Sequence, residues 1–304
     1  MTLDQLRIFL AVAERRHVTR AAQTLRLTQS AVSAAIATLE AQHGVRLFDR
    51  VGRGIELSEE GRSFVPAARA VLAQAETARL LLQDLAQQTR GSLRIFASQS
   101  VASYWLPARL VALRESHPGI EVTLNVGNSR QAAAAVQEGA ADLGFVEGEL
   151  PPSALRQQVV ARDELVLIMD KSHPLADHPG FGASEYRALR WVMREPGSGT
   201  RSVFEAHLAG LGLRRADLEV VLELPSNEAV IAAVAGSGAA AMISGRAVGP
   251  GRVPGLAVRA VDWGPRPSRP FAVLSHPERH RTRAVAAMLA IMDEMRDPAR
   301  AGEA

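Results

Sequence analysis

Residues Thr28 to Glu40 read T-Q-S-A-V-S-A-A-I-A-T-L-E, and the reading of this stretch decides what the first part of the chain can be. Ala31, Val32, Ala35, Ile36 and Leu39 recur at spacings of three and four and make an apolar helical face, while Gln29, Ser30, Ser33 and Thr38 lie off it. Thr28 suits the N-cap, where its hydroxyl oxygen accepts from an otherwise unpaired amide. The polar face is small, uncharged and rich in hydrogen-bonding groups. Such a face can enter the DNA major groove and read base edges, as the second helix of a helix-turn-helix does. Taken alone, the stretch equally fits a surface helix of a small α domain.

The flanks favour the first alternative. Upstream, Thr2-Leu3-Asp4-Gln5 fits a capping box, and Leu6, Phe9, Leu10 and Ala13 mark the buried face of a first helix ending near Arg16. A second helix from Thr19 carries Ala21, Ala22 and Leu25, and the turn Arg26-Leu27 delivers the chain to Thr28. Downstream, Gly44 suits a C-cap, and Val45 to Phe48 and Gly54 to Leu57 read as two short strands around a loop with Arg50 and Arg53. A wing of this kind lays arginine over the sugar-phosphate backbone or into the minor groove.

Ser58-Glu59-Glu60 starts a further helix, with an N-cap serine and acidic residues in the first turn. Phe64, Ala68, Val71, Ala75, Ala78, Leu82 and Leu85 then alternate spacings of four and three, a narrow heptad seam suited to pairing with a second copy. From Gly91 the pattern changes to alternating strands and helices: Leu93 to Ala97, Glu121 to Val126, Leu143 to Val146, then Gln158 to Met169 interrupted at Asp163-Glu164. A second series runs from Trp191 to Val261, and Gly264-Pro265-Arg266-Pro267 looks like a return crossing before Arg269 to Leu274 and a last helix from Arg281. Two α/β lobes joined by two crossings make a hinged clamp.

Composition sets the limits around this plan. At 304 residues, 47% hydrophobic and 22% charged, the chain has room for two or three cored domains. No apolar run reaches the roughly 18 residues of a membrane span, and M-T-L-D-Q-L-R does not read as a signal peptide, so a cytoplasmic protein with no membrane partner is expected. The absence of cysteine removes disulfides, cysteine nucleophiles and thiolate metal sites. Residues 1 to 57 hold eight Arg against five acidic residues, which accounts for the whole formal charge of +3. Nearly all the positive charge is arginine, Lys171 being the only lysine, which a GC-rich genome explains without a functional role.

Taken together, T-Q-S-A-V-S-x-x-I-x-x-L-E, then L-F-D-R, then L-S-E-E-G resemble the LysR-type transcriptional regulators. The resemblance implies a fold: a winged helix-turn-helix over 1–58, a dimerisation helix over 59–90, and a two-lobed domain like the periplasmic binding proteins over 91–304. Lobe I is expected at about 91–162 with 268–296, and lobe II at about 163–267. It also implies partners: promoter DNA, a second copy, a dimer of dimers, RNA polymerase and a small-molecule effector, with no other cofactor. Thr28, Gln29, Ser30, Ser33, Thr38, Arg50 and Arg53 are the expected DNA contacts. Phe64, Val71, Ala75, Ala78, Leu82 and Leu85 are the expected dimer contacts. The sequence departs from the family where it has Ser30 for a frequent Pro, and Ala34 and Ala37 for residues that are commonly basic, which shifts the phosphate grip toward the wing.

Ligands of such clamps meet strand ends and the helix starts that follow them. Ser98, Gln99 and Ser100 follow the first strand, Asn128 the second, and Glu195-Pro196-Gly197-Ser198-Gly199-Thr200-Arg201 a strand of the other lobe, with Ser226 opening a further helix. The E-P-G-S-G-T-R loop lacks the Gly-Lys-Ser/Thr ending of a nucleotide P-loop. It resembles a subgroup of the family that senses small anions, and the expected effector is a sulfur oxyanion, a phosphorylated metabolite or a carboxylate held by Ser98, Gln99, Ser100, Asn128, Ser198, Gly199, Thr200 and Ser226. The alternatives are an enzymatic or solute-binding α/β domain with an accessory helical domain. An enzyme would need a constellation the sequence lacks: His117, His173 and His276 precede prolines, His276 with His280 is a weak metal pair, and no nucleophile elbow is present.

Overall fold

The structure is a computed structural model that describes residues 1–51, 54–85, 91–249 and 252–295. The chain divides into two compact units, Met1–Gln88 with Glu138–Ala140 and Thr89–Gln137 with Ala141–Ala304.

The first unit runs α1 (Leu3–Arg15), α2 (Val18–Leu25), α3 (Gln29–His43), β1 (Phe48–Val51), β2 (Gly54–Leu57) and α4 (Glu59–Leu85). Its helix starts follow the local chemistry. Thr2 and Gln5 form the capping box, with the Gln5 amide donating to the Thr2 hydroxyl at 3.2 Å and the Thr2 amide to Gln5 Oε1 at 2.8 Å. Thr28 caps α3 by accepting from the Ala31 amide at 3.2 Å. Leu6, Phe9 and Val12 of α1 meet Ala21 and Ala22 of α2 and Val32, Ile36 and Leu39 of α3 in one buried cluster. Two small alanines let α2 approach closely. The buried stripe of α3 is narrower than its spacing implies, because Ala31 is exposed and Ala35 only half-buried.

Two expectations for this unit need correction. The first wing strand begins at Phe48 rather than Val45, because the Leu47 and Phe48 amides are taken by Glu40 Oε1 at 2.7 and 3.2 Å and so turn back toward α3. Of the heptad row, Phe64 is not free for a partner. Its ring centroid lies 5.2 Å from that of Phe9, and it packs with Ala68 into the unit's own core. Val71 and Leu82 remain 41% and 68% exposed, Ala78 is exposed and Ala75 half-buried, while the Leu85 side chain lies outside the described residues. The first turn of α4 fits only because Gly61 has no side chain: a Cβ there would lie 2.1 Å from the Leu47 carbonyl oxygen. That contact explains the glycine of L-S-E-E-G.

The second unit contains β3 (Gly91–Ser98), α5 (Gln99–Tyr104), α6 (Leu106–Ser116), β4 (Ile120–Gly127), α7 (Ser129–Glu138), β5 (Leu143–Glu147), β6 (Arg156–Asp170), α8 (Ala183–Ala188), β7 (Arg190–Arg194), α9 (Gly199–Gly210), β8 (Glu219–Leu224), α10 (Asn227–Val234), β9 (Ala239–Ser244), β10 (Leu256–Ala260), β11 (Ser268–Ser275) and α11 (Arg283–Glu294). Strand order is β4-β3-β5-β11-β6-β9-β7-β8, with β10 paired to β6. β3 is parallel to β4 and β5, and β7 is parallel to β8 and β9, as βα repetition requires.

β6 serves both lobes. Its residues Arg156 to Glu164 pair antiparallel with β11, and Leu165 to Asp170 pair with β9 and β10. Asp163-Glu164 therefore does not interrupt a strand, as the charged pair suggests, but marks the point where one continuous strand changes partners. The buried groups on lobe I centre on Ile95, Trp105, Phe145 and Phe271, and those on lobe II on Tyr186, Trp191, Phe204 and Met242. α8 was not expected from the sequence, being a single short segment whose Tyr186 is fully buried. No helix among the described residues is long and apolar enough to cross a membrane.

Candidate DNA interface and effector site

In the first unit, Gln29, Ser33 and Ala37 on α3 line a concavity of about 710 Å³ together with His17 and Thr19 at the start of α2 and Arg46, Asp49 and Arg50 on the wing side. Thr28, Gln29, Ser30, Ser33 and Thr38 are all exposed. Ser30 and Thr38 stand outside the concavity, and the Thr28 and Ser30 hydroxyls lie 3.1 Å apart, so these two are partly engaged with each other. Arg53 lies outside the described residues. His17, Thr19 and Arg46 escape sequence reasoning because they belong to neighbouring elements and reach this face only through the packing of α1, α2 and β1.

The second unit holds a network centred on Glu147, at the end of β5 and 1% exposed. Ser98 Oγ donates to its Oε2 at 3.1 Å, while Ser100 Oγ and Thr200 Oγ1 donate to its Oε1 at 3.2 and 3.3 Å. Arg269 Nη1 lies 3.2 Å from Oε1, and the same guanidinium binds Asp163 Oδ2 through Nε and Nη2 at 3.0 and 2.7 Å. Arg269 also donates to Thr200 Oγ1 at 2.8 Å and Ser100 Oγ at 3.3 Å. A buried charge persists only when paired and hydrogen-bonded, and here two carboxylates share one guanidinium ringed by hydroxyls. Ser198 Oγ, also buried, has no hydrogen-bond partner among the described residues.

The expected effector residues therefore separate. Ser98, Ser100 and Thr200 converge on one point, and the bare Cα of Gly199 presses on it: a Cβ at Gly199 would lie 2.1 Å from the Glu147 carbonyl oxygen. Ser226 is turned away, its hydroxyl accepting from the Ala229 amide as the cap of α10, and the residue from this helix that reaches the cluster is Asn227, whose Nδ2 donates to Ser100 Oγ at 3.0 Å. Gln99 and Asn128 tie the lobes together instead. Gln99 Oε1 accepts from the Asn227 amide at 3.1 Å and its Nε2 donates to Glu228 Oε2 at 2.6 Å, while Asn128 Nδ2 donates to Glu195 Oε1 at 3.4 Å.

Tyr104 OH adds to the first of these ties by donating to Glu228 Oε1 at 2.7 Å. Partial burial pushes the Glu228 carboxyl up, but the bonds from Tyr104, its own amide, Ser226 and Gln99 outweigh it and hold the group below the ordinary carboxylate value. Burial, then the bond to Glu228, pushes the Tyr104 hydroxyl up. Arg194, 2% exposed, donates to Asn227 Oδ1 at 2.9 Å and pairs with Glu195 at 2.8 Å. His276 and His280 gain no third ligand: among the described residues no group of three or more His, Asp or Glu could hold a metal.

A winged helix-turn-helix joined to a two-lobed clamp defines a class of protein, the DNA-binding regulator that answers to a small ligand. Residues 3–62 match the helix-turn-helix of the bacterial regulatory proteins of the lysR family, and residues 86–296 match the LysR substrate binding domain. The chain belongs to the LysR family of transcriptional regulators. It is a DNA-binding regulator with an effector-binding domain, in a family of regulators rather than enzymes. It is 37% identical to the HTH-type transcriptional regulator YeiE of Escherichia coli strain K12 over 234 residues, 77% of each chain. Among solved structures, the LysR family transcriptional regulator CbnR superposes with a TM-score of 0.71 at 20% identity, covering 98% of this chain and all 100% of that one. The regulatory domain of Synechocystis PCC6803 CcmR in complex with 2-PG gives 0.62 at 26% identity, covering 69% of this chain and 99% of that one.

Proposed function

We propose that this regulator binds paired half-sites in promoter DNA as a homodimer, assembling further as a dimer of dimers, and that a small anion closing the two lobes controls its DNA binding or its contact with RNA polymerase. It works in the cytoplasm, where its DNA is. Gln29 and Ser33 read bases, and Arg50 and Arg53 hold phosphates, each phosphate contact adding about 0.9 to the salt slope. Val71, Ala78 and Leu82 form the exposed part of the seam between copies.

The effector reading rests on one observation: three hydroxyls and a guanidinium from both lobes already converge on a carboxylate, that of Glu147. Donors so arranged suit an oxyanion, and the unpaired Ser198 hydroxyl at the start of α9 supplies another. Glu147 itself sets a condition, because two unprotonated anions repel in a buried seat. The effector either presents a hydroxyl donor to Glu147 or displaces it from the ring of donors. The complex of the related CcmR domain with 2-PG supports an anionic effector, as does the E-P-G-S-G-T-R loop. A thermal-shift screen of the full chain with sulfate, sulfite, phosphate esters and small carboxylates is the test. One of them is expected to stabilise the protein, with the stabilisation lost in Ser100→Ala; failure of all four classes overturns the reading.

A further inference from the structure

A second cavity, of about 320 Å³, lies where the return crossing Pro265 to Pro270 passes one face of α9 and the end of β5. Ser98, Ser100, Thr200 and Asn227 do not line it, so it is a separate space from the seat around Glu147. Pro265, Pro267 and Pro270 form one wall, and proline's fixed φ makes that wall rigid before any ligand arrives. Val203 and Ala206 contribute apolar surface from α9.

Two opposite charges at its rim, Glu149 and Arg266, also line it. Both are exposed, and neither side chain forms an ion pair or hydrogen bond with any group among the described residues. Opposite charges that share a cavity without meeting leave a guanidinium able to take a carboxylate and a carboxylate able to take an ammonium. The volume is at the small end of the roughly 300 to 1,000 Å³ of ligand pockets, the scale of an amino acid.

We infer that this cavity is a second ligand site, for a small zwitterion of the α-amino acid class, with Arg266 binding its carboxylate and Glu149 its ammonium group. The site is placed to act on the first one. Arg269 lines the cavity and also holds Glu147, and the Gly148 amide next to Glu147 donates to the Pro270 carbonyl at 3.1 Å. A ligand drawing the crossing toward β5 therefore strains or relieves the Glu147 seat, and the coupling is reciprocal.

Calorimetry on the full chain, with L-serine and L-glutamine as probes and propionate and ethylammonium as single-charge controls, tests the inference. The amino acids are expected to bind, the single-charge controls about tenfold more weakly or less, and Arg266→Ala and Glu149→Ala each to weaken amino-acid binding by about tenfold. Ser98→Ala, in the Glu147 seat, is expected to change that binding through the coupling alone, by less than either cavity variant does. The inference is overturned if neither amino acid binds at millimolar concentration, if both cavity variants bind as the parent does, or if Ser98→Ala abolishes binding, which would place the amino acid in the Glu147 seat. All of these titrations are run with no added oxyanion, so that the Glu147 seat is empty and none of the outcomes depends on which anion it takes.

Discussion

At the scale of single residues, Gly199 and His207 carry the plainest consequences. Gly199 brings the start of α9 against the end of β5, so Gly199→Ala forces a methyl into backbone that cannot yield without moving a lobe. Overpacking of this kind costs about 1 to 3 kcal/mol. Urea unfolding of the second unit's signal is expected to show that loss, together with weaker anion binding. His207 is 3% exposed and held on both ring nitrogens, Nδ1 to the Pro265 carbonyl at 2.7 Å and Nε2 to Tyr186 OH at 2.8 Å. Burial pushes its pKa down, with the Pro265 carbonyl drawing it partly back, and burial raises Tyr186 to about 12 so that it remains a donor. The unfolded chain then takes up a proton at His207 near 6.5 while the folded chain resists it. Stability is therefore full above that value and declines as the pH falls through it, toward the lower folded pKa. Melting temperatures recorded between about pH 7 and 5 are expected to fall less in His207→Gln than in the parent. Part of the decline survives the substitution, since burial also lowers His173 and His276.

At the scale of elements, α3 and the wing are one device. Glu40, near the end of α3, accepts the amides of Leu47 and Phe48 on a single oxygen, so the wing carrying Arg50 leaves from a point fixed to α3. Glu40→Ala removes that anchor and leaves two amides without their acceptor, at about 1 to 3 kcal/mol. Anisotropy titrations across a range of salt are expected to show DNA binding about tenfold weaker with a shallower salt slope. Glu40→Gln, which keeps an acceptor oxygen, is expected to retain most of both. An unchanged slope in Glu40→Ala would mean the wing finds its place without Glu40. This anchor also marks the limit of what the sequence discloses. Caps, heptads and strand runs are local, and Thr2, Thr28 and Ser98-Gln99-Ser100 stand where spacing puts them. Glu147 and Arg269 were not legible, because a charged residue in a strand carries no signal of the hydroxyls that will surround it. Ser226 misled for the opposite reason: a serine at a helix start satisfies its own helix, and its neighbour Asn227 reaches the pocket.

At the scale of the whole molecule, the positive excess of +3 lies within residues 1 to 57, so one copy brings little net positive charge to DNA. With Ala34 and Ala37 on α3, one copy of the proposed reading helix would grip weakly, and the proposed dimer would double it. Each half-site contact then raises the effective concentration of the other. The seam proposed above would use apolar positions of α4, where Leu82 is 68% exposed and Val71 41% exposed while Phe64 and Ala68 serve the unit's own core. Leu82→Glu sets two like charges against each other across a paired seam and leaves an isolated helix unharmed, since Glu is a good helix former. Sedimentation is expected to shift toward the monomer, and affinity for a duplex with two half-sites to fall by at least about tenfold while affinity for a single half-site stays as it was. Equal loss on both duplexes would mean the substitution damages the reading unit itself, and an unchanged sedimentation profile would move the interface off α4.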